Sequence, residues 1–176
     1  MAKIQQGSMP AYEVIYDRYN RSIWNFVRLK IRNEERALEI SQDILLKIFH
    51  SASLFKTDQK FRPWLWAMVR NIITDEFKKK DALSVTMEQS EIQTEDIPEE
   101  DPSSALDGLM EQAQRQQVEQ CLNNLTENQK EAISLQIFSE LSLEEIATEM
   151  KVKVGAVKSL IFRGKEALKK CLEKCL

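Results

Sequence analysis

Apolar residues return along this chain at helical rather than strand spacing. Tyr12, Ile15, Tyr19, Ile23, Phe26, Val27 and Leu29 form a first stripe, and after a break at Asn33 a second follows in Ala37, Ile40, Ile44, Leu45 and Ile48. Positions that recur every three to four residues share one face of a helix. Ser51 to Lys60 has no such stripe and reads as a loop. A further helix opens near Pro63, where proline has no intrahelical N–H to lose, and runs through FRPWLWAMVRNIITDEFKKK at 61–80. Projected at about 100° per residue, Phe61, Trp64, Leu65, Met68 and Ile72 make its buried stripe. Trp66 and Arg70 point elsewhere, and Trp66 either packs under a neighbouring helix, the preferred reading, or lies on a contact surface.

The C-terminal part is punctuated more sharply. Thr126 with Gln129 and Ser142 with Glu145 have the spacing of capping boxes, in which an N-cap hydroxyl and the side chain three residues on satisfy each other's backbone N–H. They start helices at about 127–138 and 143–150, with Ile133, Ile137, Ile146, Ala147 and Met150 at core spacing. Lys151, Val152 and Lys153 form a short turn, and a last helix runs from about Val154. A short helix, a tight turn and a longer basic helix make a helix-turn-helix pattern. In the last helix Val154, Val157, Ile161, Gly164, Leu168 and Leu172 collect on one side. Lys158, Ser159, Phe162, Arg163, Lys169 and Lys170 collect on the other. The second face suits a major groove: Lys158 and Arg163 can meet phosphate or guanine acceptors, Ser159 either, and Phe162 a thymine methyl.

Composition supports the helical reading. Of 176 residues, 43% are hydrophobic and 30% charged, with only 4 Gly and 4 Pro, too few turn residues for a many-stranded sandwich or barrel. The expected class is all-α. No apolar run approaches the roughly 18 residues of a membrane span, and residues 1–12 lack the order of a signal peptide, so a cytoplasmic protein without membrane insertion is expected. Cys121, Cys171 and Cys175 are read as free thiols; Cys171 and Cys175, one helical turn apart, would allow a redox or metal pair, but small core residues are the preferred reading. With a single His50 and no nucleophile or acid/base constellation, neither a metal, a cofactor nor an enzyme activity is expected.

Charge is distributed unevenly. Residues 1–80 carry 15 Lys/Arg and 9 Asp/Glu, net +6; residues 81–110 carry 9 acids and no base, net −9; residues 111–176 carry ten of each, which completes the total of −3. Within the last segment, 111–150 has 2 bases against 8 acids, whereas 151–176 has 8 bases against 2 acids. Two basic regions separated by an acidic strip suit nucleic-acid contact at two places. The strip at 81–110, rich in acid and holding Pro98, Pro102 and a Ser pair, reads as a flexible linker that cannot bury enough apolar surface to offset its ordering entropy. Three segments are therefore expected: a helical domain at 8–80, a linker at 81–110, and a helix-turn-helix domain at 111–176.

The order of these parts resembles a bacterial RNA polymerase sigma factor of the small extracytoplasmic-function (ECF) type, with only the second and fourth sigma domains. ALEISQDILLKIF at 37–49 resembles the helix that binds core polymerase, the segment 61–80 the promoter-melting and minus-ten helix, and LTENQKEAISLQIFSELSLEEIATEMKVKVGAVKSLIFRGKEAL at 125–168 the minus-thirty-five helix-turn-helix. The resemblance implies that Gln42 and Asp43, with Glu39 and Lys47, dock the clamp helices of the polymerase. It implies that the loop from Phe55 through Lys56 to Lys60 captures a flipped base, with Arg70 and Asn71 beside it and Trp66 counted in the same melting set. Lys158, Ser159, Phe162 and Arg163 match the groove-reading positions. The implied partners are RNA polymerase core, promoter DNA and an anti-sigma factor. Departures occur at Leu45 for the usual aromatic, Ala156 for Thr, Leu160 for Arg and Gly164 for Ala, so the promoter sequence is not readable. Two rivals remain: a stand-alone helix-turn-helix regulator and a protein-interaction scaffold. Neither accounts for the loop and helix at 55–80.

Overall fold

The computed structural model describes residues 1–84, 117, 118 and 120–174, so the expected linker lies outside the described residues from position 85 onward. All regular structure among the described residues is helical. The first module holds α1 (Ala2–Gln5), α2 (Met9–Lys30), α3 (Glu34–His50), a 3-10 turn (Ser51–Leu54) and α4 (Phe61–Ser84); the second holds α5 (Glu127–Phe138), α6 (Leu143–Met150) and α7 (Val154–Leu172).

Local chemistry explains the boundaries. The break at Asn33 is an N-cap, its Oδ1 accepting the Arg36 N–H at 2.7 Å. Both expected capping boxes form. Thr126 Oγ1 accepts from Gln129 N at 3.4 Å while Thr126 N donates to Gln129 Oε1 at 3.0 Å, and Ser142 and Glu145 repeat the exchange at 3.2 and 3.0 Å. Lys151 ends α6 in the left-handed region at φ 57°, which lets Val152 N reach the Ala147 carbonyl at 3.0 Å.

Packing departs from the sequence reading in four places. The most deeply buried side of α4 is Leu65, Trp66, Val69 and Ile73, with Phe61, Trp64, Met68 and Ile72 only flanking it. The expected stripe is rotated because α4 is covered on two sides, by α3 and by α6 of the second module. Trp66 is fully buried against Phe26, ring centroids 5.1 Å apart, which settles it as core. Ile137, assigned to the core by spacing, is 59% exposed, because the inner face of α5 is filled by Ala132, Ile133 and Leu135.

The third departure is that the two cores are not separate. One cluster of buried side chains continues from Phe26 and Trp66 to Leu135, Leu141 and Ile146, carried by α2 against α5 and α4 against α6. The fourth is that Cys121 and Cys171, expected as free thiols, form a disulfide with Cα atoms 5.6 Å apart. They lie 50 residues apart in sequence and meet because α7 packs along α5. Cys175 lies outside the described residues.

Candidate polymerase and promoter surfaces

The outer side of α3 presents Glu39, Gln42, Asp43 and Lys47 to solvent, because the apolar positions Ala37, Ile40, Ile44, Leu45 and Ile48 turn the other side inward. Glu39 is not free: its Oε2 accepts from Arg36 Nη1 at 2.7 Å. The same guanidinium makes a two-pronged bond to α4, Nε to Glu76 Oε1 at 2.7 Å and Nη2 to Glu76 Oε2 at 2.8 Å. Arg36 thus fixes the pitch of α3 on α4, and its two hydrogen bonds hold the Glu76 carboxyl below the usual range. Leu38 and Leu46 are about half exposed on this same face. Sequence reasoning passed over them; two leucines eight residues apart and off the core stripe, with Gln42 midway, were the available signal.

The loop assigned to base capture is braced from the N-terminal segment. Gln5 Nε2 donates to the carbonyls of Ala52 at 3.0 Å and Phe55 at 2.8 Å, while Ile4 is buried beneath. The Phe55 ring is buried edge-on against Trp64 and Phe61, at 5.3 and 6.1 Å between centroids. In this conformation it is a strut and offers no face for stacking; the exposed apolar group of the loop is Leu54. Lys56 is exposed, and Lys60 Nζ lies 2.7 Å from Glu145 Oε1 of the second module. On α4, Asn71 is exposed, whereas Arg70 is turned into the seam between modules.

The helix-turn-helix displays its last helix as the projection requires. Val157, Ile161 and Gly164 are buried, and Lys158, Phe162 and Arg163 are exposed, Phe162 by 67%. Ser159 is half-buried beside them. Gly164 allows the close crossing of α7 over α5, since a Cβ there would lie 2.5 Å from Ile133 Cδ1. Phe162 is thus a large aromatic left in water on a cationic face.

Two helical modules, one ending in a helix-turn-helix with a cationic outer face, define a DNA-binding protein of transcription. The family described as Sigma-70 region 2 matches residues 15–82 and that described as Sigma-70, region 4 matches residues 115–168, in that order and over most of the chain. The chain is similar to the RNA polymerase sigma-H factor of Pseudomonas aeruginosa, 26% identical with 99% of this chain and 92% of that one covered. It is also similar to the ECF sigma factor SigW of Bacillus subtilis, 27% identical over 97% and 93%. Among solved structures, CnrH in complex with the cytosolic domain of CnrY matches with TM-score 0.66 at 20% identity, over 98% and 94% of the two chains. RpoE of Bartonella quintana in complex with the anti-sigma factor NepR matches with 0.65 at 21%, over 93% and 97%. The chain belongs to the sigma-70 family, in its extracytoplasmic-function group. Such a protein directs RNA polymerase core to promoters and is not itself an enzyme. No helix among the described residues is long and apolar enough to cross a membrane.

Proposed function

We propose that the three surfaces divide the work of initiation. The outer side of α3, with Glu39, Gln42, Asp43 and Lys47 and with Leu38 and Leu46 between them, docks core polymerase. Lys158, Ser159, Phe162 and Arg163 read the upstream duplex. The loop around Lys56, Asn71 on the outer side of α4 and Arg70 at the adjoining seam take up unpaired bases and their phosphates, for which amide and cationic groups are suited. Residues 8–80 and 111–176 are the two working domains, and the acidic segment 81–110 joins them. The site of action is the cytoplasm. An anti-sigma factor restrains the chain, by analogy with the complexes in which CnrH and RpoE are seen.

The observation that carries this reading is the exposed Phe162 between Lys158 and Arg163 on the helix that follows a tight turn. Permanganate reactivity of unpaired thymines, measured with holoenzyme on a promoter the chain serves, tests the division. Arg163→Ala should weaken engagement of closed and pre-melted templates alike, by about 1–3 kcal/mol. Asn71→Ala should spare upstream binding and reduce thymine reactivity on the closed template. Equal reactivity for Asn71→Ala and the native chain would remove the assignment of strand opening to α4. A stand-alone regulator would instead show tight, sequence-specific binding without polymerase.

A further inference from the structure

The charge division of the chain has a counterpart in space. Acids of the described part of the second module, Glu131, Glu140, Glu145 and Glu149, face the basic first module, and ion pairs cross the seam between them. Lys60 with Glu145 at 2.7 Å and Arg62 with Glu140 at 2.6 Å lie at its rim, their cationic side chains 77% and 39% exposed, so they contribute little. The centre is different. Lys30 Nζ lies 2.7 Å from Glu131 Oε2, Arg70 Nε 2.6 Å from Glu131 Oε1, and Arg70 Nη1 3.3 Å from Glu149 Oε2. Arg70 Nη1 also donates to the Glu149 backbone carbonyl. The side chains of Lys30, Glu149, Glu131 and Arg70 are only 9, 15, 18 and 26% exposed. Lys30 Nζ also lies 3.8 Å from Glu127 Oε2, which is exposed. Removing the Glu131 charge from a group so enclosed leaves Lys30 with that distant acid and Arg70 with Glu149 alone.

This seam is selective in what it covers. The outer side of α3 and the groove-reading side of α7 remain open, as does Asn71, whereas Arg70, the adjacent residue on α4, has its guanidinium occupied by acids of the other module. We propose that Arg70 is a two-position group: in the free chain Glu131 and Glu149 hold it, and on the promoter the same guanidinium passes to the phosphates of the unpaired strand. The acids of the second module are then an internal competitor of single-stranded DNA. Engagement of the melted strand by Arg70 requires the seam to open. The latch rests on the reading of α4 as the melting helix.

Glu131→Gln keeps shape and removes the acid that Lys30 and Arg70 share, leaving only the longer Lys30–Glu127 and Arg70–Glu149 pairs across the seam. The free chain should expand, seen as a larger radius of gyration in small-angle X-ray scattering. Its affinity for a fluorescein-labelled single-stranded oligonucleotide should rise about tenfold, the gain expected when a closed form that held nine molecules in ten is released. Glu166→Gln, an exposed acid of α7 away from the seam, controls for the loss of one negative charge. Glu149→Gln, which keeps the Lys30–Glu131 pair, should give the same changes to a smaller extent and serves if Glu131→Gln folds poorly. If neither seam variant differs from Glu166→Gln in radius or in DNA affinity, there is no latch. Expansion without tighter DNA binding would overturn the competition and, with it, the placing of unpaired DNA on α4.

Discussion

Substitution of Gly164 offers a test of packing that can be worked through in numbers. A Cβ at this position would lie 2.5 Å from Ile133 Cδ1, 3.4 Å from Gln129 Cβ and 3.5 Å from Ile133 Cγ1. Carbon atoms rest at about 3.5–4.0 Å, so the Ile133 end methyl must retreat by about 1 Å. Ile133 is 3% exposed, so its end methyl must shift among packed neighbours. Overpacking of this kind costs about 1–3 kcal/mol, while alanine in place of glycine inside a helix returns about 1 kcal/mol. Gly164→Ala should therefore lose about 1 kcal/mol net, or about 2–4 °C in Tm for a chain of this size. Ile133→Val removes only Cδ1, at about 0.5–1.5 kcal/mol. In that background the closest contact is gone, and Gly164→Ala should stabilise by about 1 kcal/mol. The double-mutant cycle, read from thermal and urea melts, should yield a coupling of about 2 kcal/mol. The same effect of Gly164→Ala in both backgrounds would refute the claim that Ile133 sets the need for glycine.

Three further outcomes are expected. Reduction, or Cys121→Ser with Cys171→Ser, should lower the stability of the second module by up to about 4 kcal/mol on a chain-entropy estimate for a 50-residue loop, measured by melts with and without reductant. Ser142→Ala removes the cap of α6 and should cost about 1 kcal/mol, with weakened duplex binding because α6 sets the angle of α7. Burial pushes the Glu131 carboxyl up, but the Lys30 ammonium and the Arg70 guanidinium outweigh it and hold it below its ordinary value. A depressed carboxylate contributes above its unfolded pKa and ceases to as pH falls through the folded one. Scattering should therefore show a seam that is closed at neutral pH and loosens in acid below the usual carboxylate range, and Glu131→Gln should remove that dependence.

The helical class, the break at Asn33 and both capping boxes were legible because each depends on residues close together in sequence. The exposed side of α7 was legible for a related reason: a helix that packs on one side only has an unambiguous projection. The projection failed on α4, which is enclosed by α3 and α6: Leu65, Trp66, Val69 and Ile73 form a stripe beside the expected one and are buried more deeply than it. Phe55 was placed in the base-capturing loop by the family resemblance, and in this conformation its ring packs on Trp64 and Phe61. The charge segregation was visible, yet its use was not. A lysine or arginine that suits a phosphate suits a carboxylate equally well, and only the fold shows that Arg70 meets Glu131 and Glu149. The Cys121–Cys171 bond was hidden by sequence distance, since nothing local marks two cysteines on helices that later pack together.

The account rests on the chain giving RNA polymerase core a choice of promoters. Core polymerase mixed with the purified protein should be run on fragmented genomic DNA from the source cell, and the 5′ ends of the transcripts mapped. Starts should appear that core alone does not make, share two upstream sequence elements at a fixed spacing, and vanish when Arg163→Ala and Asn71→Ala are combined in the added protein. Identical starts with and without the protein would contradict the account at its centre.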